Sequence, residues 1–144
     1  MYLLSSENLT CGYNKINILT NCNIGVNKGE IASIVGPNGA GKSTAMKAIF
    51  GLLPLRGGQI ILDGEDITHL KPQERVLKGM GFVPQNNNIF PTLTVQENLE
   101  MGAFISNDNY NDILDYIYNL FPILKDKKFQ QAGELSGGQR QQVA

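Results

Sequence analysis

Residues Gly36, Pro37, Asn38, Gly39, Ala40, Gly41, Lys42, Ser43 and Thr44 fit the pattern G-x-x-x-x-G-K-[ST] in full. In such a run the glycines let successive backbone N–H groups turn inward and close on phosphate oxygens. A helix that starts where the loop ends adds its unpaired N–H groups and the positive end of its dipole. Lys42 is then placed to reach the β- and γ-phosphates of a nucleotide. Ser43 sets a hydroxyl on Mg²⁺, and Thr44 offers a further hydroxyl on the α-phosphate side. This chemistry needs a strand before the loop and a helix after it. The run IASIVG, Ile31 to Gly36, is continuously apolar and ends in glycine, which predicts a strand buried on both faces. Lys42 to Phe50 has helical periodicity, stopped by Gly51.

A phosphate loop serves kinases, GTPases, motors and transport ATPases alike. A second cluster, LSGGQ from Leu135 to Gln139, separates them. Ser136 and Gln139 have the S-x-x-Q spacing of a capping box. Gly137 and Gly138 leave the first-turn backbone uncovered, at about 1 kcal/mol of helix stability each. An anion approaching that backbone explains the sacrifice; an ordinary capped helix start is the other reading. Two single residues join the candidates. Gln85 ends GFVPQ, where a solvated turn residue is the plain alternative. Tyr13, in CGYNK, has a flat π-face that a planar base can stack on, against ordinary packing.

The elements that position these residues read as follows. Tyr2 to Leu9 is an entering strand, and Ile16–Leu19 and Asn23–Val26 are short neighbouring strands of a small antiparallel sheet. Asn27-Lys28-Gly29 is a turn. Gln59–Leu62 is a strand closed by an Asp63-Gly64 turn. Pro72 suits the first turn of a short helix to Lys78, and Gly81–Pro84 is a brief strand. Thr94 and Glu97 form a capping box opening a helix through about Met101. Asn109 to Phe121 carries the stripe Ile113, Leu114, Ile117, Leu120 and Phe121. The first half is therefore mostly sheet around one phosphate loop, and the second mostly helical.

Composition narrows the class. The 144 residues are 42% hydrophobic and 17% charged with net charge −1, as in a globular chain rather than a disordered one. The 16 glycines and 6 prolines are too scattered for a collagen-like chain. The slightly acidic balance argues against a dedicated nucleic-acid binder. Cys11, Cys22 and the single His69 cannot supply a zinc site, and two reduced thiols are expected. The N-terminus lacks the basic and apolar regions of a signal peptide, and no run approaches the ~18 apolar residues of a membrane span. A cytoplasmic chain able to dock on a membrane protein is expected.

The phosphate loop and LSGGQ together resemble the nucleotide-binding subunit of ATP-binding cassette (ABC) transporters. The resemblance implies an α/β fold of the P-loop NTPase type: an incomplete ABC nucleotide-binding domain over 1–144. An antiparallel β subdomain and phosphate-loop core would occupy about 1–85, and a helical subdomain about 86–144. It implies ATP and Mg²⁺ as cofactors, Lys42 and Gln85 as catalytic residues, and Ser43 and Gln85 on the metal. Tyr13 would stack on adenine. Ser136, Gly137 and Gly138, with Gln139 completing the signature, would meet the γ-phosphate of ATP held by a second subunit packed head to tail. The implied partners are that second ATP-binding subunit and transmembrane permease subunits, with no nucleic acid, on the inner face of the cell membrane. Gln85 would link the ATP site to the permease. Phe90, Pro91, Val95 and Met101 would form part of the permease contact, ordinary core burial being the other reading of each.

The segments ENLTCGYNKINIL, GKSTAMKAIFGLLPLRGGQIILDGEDIT, LTVQENLEMGAF and AGELSGGQRQQVA look like the ATP-binding proteins of branched-chain amino acid import. Lipopolysaccharide-export and urea-import ATPases share much of this pattern, and VPQNNNIF is closer to the general family form. A soluble ABC-type ATPase on ribosomes or DNA is disfavoured by the compact spacing of the two motifs; a non-catalytic remnant is a third reading. The family continues with an apolar strand ending in Asp-Glu and with a switch histidine. Neither is assignable here, and His69 lies too early. The 144-residue chain alone is therefore not expected to hydrolyse ATP, and the Ile31–Val35 strand is expected to have an open edge.

Overall fold

Short-range turn chemistry builds the first sheet. In the computed structural model, which describes residues 2–104 and 109–144, strands β1 (Leu4–Tyr13) and β2 (Ile16–Val26) form an antiparallel hairpin closed at the pair Tyr13 and Ile16. Asn14 turns the chain at φ 53°, a left-handed conformation that Asn tolerates. Asn8 and Asn21 adopt the same region where the register of the hairpin slips. Asn23 Oδ1 accepts the Asn8 N–H at 2.8 Å and fixes that irregularity. Strand β3 (Leu55–Leu62) pairs with the other edge of β1, and β4 (Glu65–Asp66) pairs with β3, giving the order β2-β1-β3-β4. Gly58 has φ 89° opposite the slip, where a Cβ would lie 2.4 Å from the Glu7 carbonyl oxygen.

Helix α1 (Lys42–Phe50) shares a core with the sheet. Leu9, Cys11 and Ile60 meet Ala48, Ile49, Leu53 and Ile67. Gly51 ends α1 at φ 86° and returns its N–H to Ala48 O and Lys47 O. Helix α2 (Pro72–Leu77) starts with proline in its first turn. It buries Arg75, only 1% exposed, whose guanidinium donates to Leu70 O at 3.0 Å, Thr68 O at 2.9 Å, Ala48 O and Ile49 O. Four carbonyls from two segments thus compensate a buried cation. Both cysteines are free thiols, and burial raises the pKa of Cys11.

The chain divides into two units, Met1–Phe82 and Val83–Ala144. In the second, Thr94 caps α3 (Val95–Ala103) with a complete capping box. Helix α4 (Tyr110–Leu120) is capped by Asn109, and Pro122 opens α5 (Pro122–Asp126). A 3₁₀ turn (Ala132–Glu134) leads to α6 (Gly137–Val143). The core is Val95, Leu99, Leu114, Tyr118, Leu124, Ala132, Leu135 and Val143. Asn98, also buried, accepts the Phe90 N–H on Oδ1 at 2.7 Å. Its Nδ2 donates to Phe90 O at 3.0 Å and Thr94 O at 2.8 Å, so one amide shapes the loop 90–94.

Several sequence expectations are corrected. The run Ile31–Val35 forms no strand: Ile31 is 97% and Val35 88% exposed. A strand exists through the ladder bonds of its neighbours, and among the described residues none pairs with this run. Gly81–Pro84 is likewise not a strand. The entering strand starts at Leu4 and runs on to Tyr13, and the two short strands are one, β2, because Asn21 absorbs the irregularity without breaking the pairing. The α4 stripe turns toward Leu114 and Tyr118, leaving Leu120 exposed. No helix among the described residues is long and apolar enough to cross a membrane.

Candidate functional site

The first unit builds a phosphate loop. Pro37 O accepts the Ala40 N–H at 3.2 Å, and Gly39 (φ 87°) and Gly41 (φ 90°) carry the chain through left-handed conformations into α1. Gly41 is required twice over, since a Cβ there would also lie 2.7 Å from Leu19 Cδ2 of β2. No side chain caps α1. Its first-turn N–H groups therefore remain available to an anion, with the dipole in its favour. Lys42 folds over the loop, its Nζ donating to Gly36 O at 2.7 Å and Pro37 O at 2.9 Å. The ammonium thus rests on carbonyls of the loop itself. Ser43 is exposed, and Thr44 is buried.

Tyr13 stands at the end of the β1–β2 hairpin, 45% exposed, on the same two strands that bring Leu19 against Gly41. Arg56 braces this hairpin through Asn17 Oδ1 and Asn14 O. The first unit therefore carries both the run Gly36 to Thr44 and an exposed aromatic. These residues fit a nucleoside triphosphate: an uncapped helix start, a cation over the loop, and a glycine where a side chain would block the turn. For Mg²⁺ they offer the Ser43 hydroxyl alongside the phosphates. Among the described residues no cluster of three His, Cys, Asp or Glu provides a separate metal cage.

The second unit carries the other candidates. Gln85 is exposed in the segment before Asn86-Asn87-Asn88. Asn88 Nδ2 donates to Gln141 Oε1 of α6 at 2.9 Å. Ser136 caps α6 as its spacing predicts: Ser136 Oγ accepts the Gln139 N–H at 3.3 Å, and Gln139 Oε1 accepts the Ser136 N–H at 3.2 Å. A Cβ on Gly137 or Gly138 would meet nothing within 4 Å, and neither has a positive φ. Nothing inside the described chain asks for glycine at either position. Of the expected permease-contact residues, Phe90, Pro91 and Met101 are exposed, whereas Val95 is fully buried, so the core reading holds for it.

The ABC transporter family profile matches residues 19–144. The chain belongs to the ABC transporter family. This ABC chain is 40% identical, over 99% of its length, to the probable branched-chain amino acid transport ATP-binding protein LivF of Archaeoglobus fulgidus. It is 38% identical to the high-affinity branched-chain amino acid transport ATP-binding protein BraG of Pseudomonas aeruginosa, and 36% identical to the lipopolysaccharide export system ATP-binding protein LptB of Haemophilus influenzae. The chain spans 61% of the length of each of these relatives. Among solved structures, MJ1267, an ATP-binding cassette of an ABC transporter, superposes with a TM-score of 0.81 at 30% identity, over 99% of this chain and 62% of that one. The cassette MJ0796, solved as a dimer bound to ADP and Pi, gives 0.80 at 28% identity, over 97% of this chain and 66% of that one. The fold of this ABC chain is thus α/β and of the P-loop NTPase type.

Sequence reasoning missed the arginines of this ABC chain. Arg56, Arg75 and Arg140 act on backbone carbonyls or a distant amide. Those partners carry no sequence signature, so spacing had nothing to detect.

Proposed function

We propose that this chain is the ATP-binding part of an ABC transporter that energises import of branched-chain amino acids. Lys42 and the loop N–H groups hold the triphosphate of ATP, Ser43 and Gln85 hold Mg²⁺, and Tyr13 stacks on adenine. Lys42 and Gln85 contribute to γ-phosphoryl transfer in the whole protein. The turn Ser136–Gly138, with Gln139 closing its capping box, meets the γ-phosphate of ATP bound to a second copy packed head to tail. The exposed Phe90, Pro91 and Met101 contribute to the contact with permease subunits at the inner face of the membrane. The β subdomain and loop core occupy about 1–85 and the helical subdomain about 86–144.

One observation carries this reading: glycines at 137 and 138 that no contact or backbone angle among the described residues requires. A helix start weakened by about 1 kcal/mol per glycine is accounted for by something that approaches it closely from outside. The names of the relatives support the transport assignment, and the lipopolysaccharide-export relatives supply the competing substrate. Labelled leucine uptake in cells carrying Lys42→Ala in the chromosomal gene tests the substrate. Loss of leucine uptake is expected; unchanged uptake with a defect in outer-membrane lipid export overturns the amino-acid reading in favour of the other.

A further inference from the structure

The signature turn is held less by its own capping box than by a side chain that follows it. The box bonds, 3.2 and 3.3 Å, lie at the long end of the hydrogen-bond range. Arg140, on the first turn of α6, folds its side chain back past the cap. Its Nε–H donates to Leu135 O and its Nη2–H to Gly133 O, both at 2.9 Å. Its backbone N–H closes the first helical bond to Ser136 O, also at 2.9 Å. One residue therefore brackets Ser136 on both sides, and its side-chain bonds are those of a charged donor, stronger than neutral ones.

The far end of this tether is anchored. Leu135 is buried in the core of the second unit. Gly133 donates to Pro91 O at 2.9 Å, and a Cβ on Gly133 would lie 2.8 Å from that oxygen. Pro91 belongs to the loop that Asn98 shapes. The helix dipole does not account for the arrangement, because a cation near a helix N-terminus is disfavoured. The two carbonyls do account for it, and the planar fork of Arg meets both with N–H groups of fixed direction, which a Lys ammonium on a flexible stem lacks.

We propose that Arg140 is the positioning residue of the signature turn: it fixes Ser136–Gly138 in the geometry that meets ATP on a second copy. The proposal rests on the reading of that turn given above. It predicts that the fork, and not the charge alone, matters.

The whole protein that carries this sequence is compared with its Arg140→Met, Arg140→Lys, Ser136→Ala and double Ser136→Ala/Arg140→Met variants. The first readout is amide exchange. Arg140→Met is expected to speed exchange at Gln139 and residue 140 about tenfold, the loss of a charge-assisted bond, with α4 amides unchanged and no restoration by Arg140→Lys. Unchanged exchange, full restoration by Lys, or loosening that spreads equally into α4 overturns the positioning role. The second readout is MgATP-driven self-association by sedimentation, beside affinity for a fluorescent ATP analogue. Arg140→Met is expected to weaken association about fivefold or more, keep the analogue affinity, and add nothing to Ser136→Ala. Association lost with Ser136→Ala but intact with Arg140→Met overturns the proposal alone. If the wild-type chain does not associate with MgATP, the reading of the turn as an ATP contact falls, and the exchange data still decide the tether.

Discussion

Replacing Arg75 with Met removes a buried cation while keeping a side chain of similar reach. Arg75 is 1% exposed and serves carbonyls at Ala48, Ile49, Thr68 and Leu70. Burial lowers its pKa, yet no carboxylate partners it among the described residues. Of its acceptors in the last turn of α1, Ala48 O keeps the Gly51 N–H, whereas Ile49 O has no intrahelical donor and depends on Arg75. An orphaned buried carbonyl costs about 1–3 kcal/mol, and the part-buried Thr68 O and Leu70 O lose their donor as well. Relief of the guanidinium's own desolvation offsets part of this, leaving a loss of about 2 kcal/mol against a total stability of about 5–15 kcal/mol. Arg75→Lys, which reaches fewer carbonyls, is expected to lose about half as much. Urea unfolding followed by circular dichroism, with amide exchange at Ala48, Ile49 and Gly51, measures both. The reasoning is refuted if Arg75→Met shifts stability by less than about 0.5 kcal/mol or if exchange at the end of α1 does not change.

Other expectations follow from single contacts. Gly41→Ala should cost about 1–2 kcal/mol from its φ of 90° alone, plus the overlap with Leu19; adding Leu19→Ala should recover only the second part in urea titrations. Lys42→Ala should weaken MgATP binding more than about tenfold with little change in the unfolding midpoint, since Lys42 bonds only exposed carbonyls; isothermal titration and a melt separate the two. Glu97 has a lowered pKa because it accepts the Thr94 N–H and Oγ1–H. Its folded-state pKa lies below the unfolded one, so its support of α3 is complete at neutral pH and is lost as the pH falls through the acid carboxylate range. Glu97→Gln should abolish that pH dependence of α3 amide exchange, and Thr94→Ala, which keeps the backbone N–H, should only reduce it. Tyr110 is pushed up to about 12, first by desolvation and then by its hydrogen bond to Glu100. Its contribution is therefore full below the ordinary tyrosine range and lost as pH rises toward 12, and Glu100→Gln should bring the phenolate absorbance step to lower pH.

What could be read in the sequence was local. The nine residues from Gly36 to Thr44, the boxes at Thr94 and Ser136, and the stop at Gly51 each depend on neighbours within a few positions, and the structure has them. Ile31–Val35 reads as a strand by composition, but pairing is decided by distant segments, and none among the described residues supplies it. Continuity of β2 through Asn21 depends on a register slip against β1 that no period-2 pattern shows. Arg75 and Arg140 look like surface cations in the sequence because their partners are main-chain oxygens. The glycines at 137 and 138 were legible as unusual, and the open space around them is what gives that observation its force.

On the function proposed above, the phosphate loop of one copy and the signature turn of another form one ATP site. Mixing two variants separates this from a site built within one copy. Lys42→Ala keeps the turn and loses the loop; Ser136→Arg keeps the loop and loses the turn. Each alone has no complete composite site, whereas a mixture has one per pair. MgATP-driven association in sedimentation should therefore be absent from either variant alone and reappear when they are mixed. A mixture that associates no more than its separate components contradicts the account.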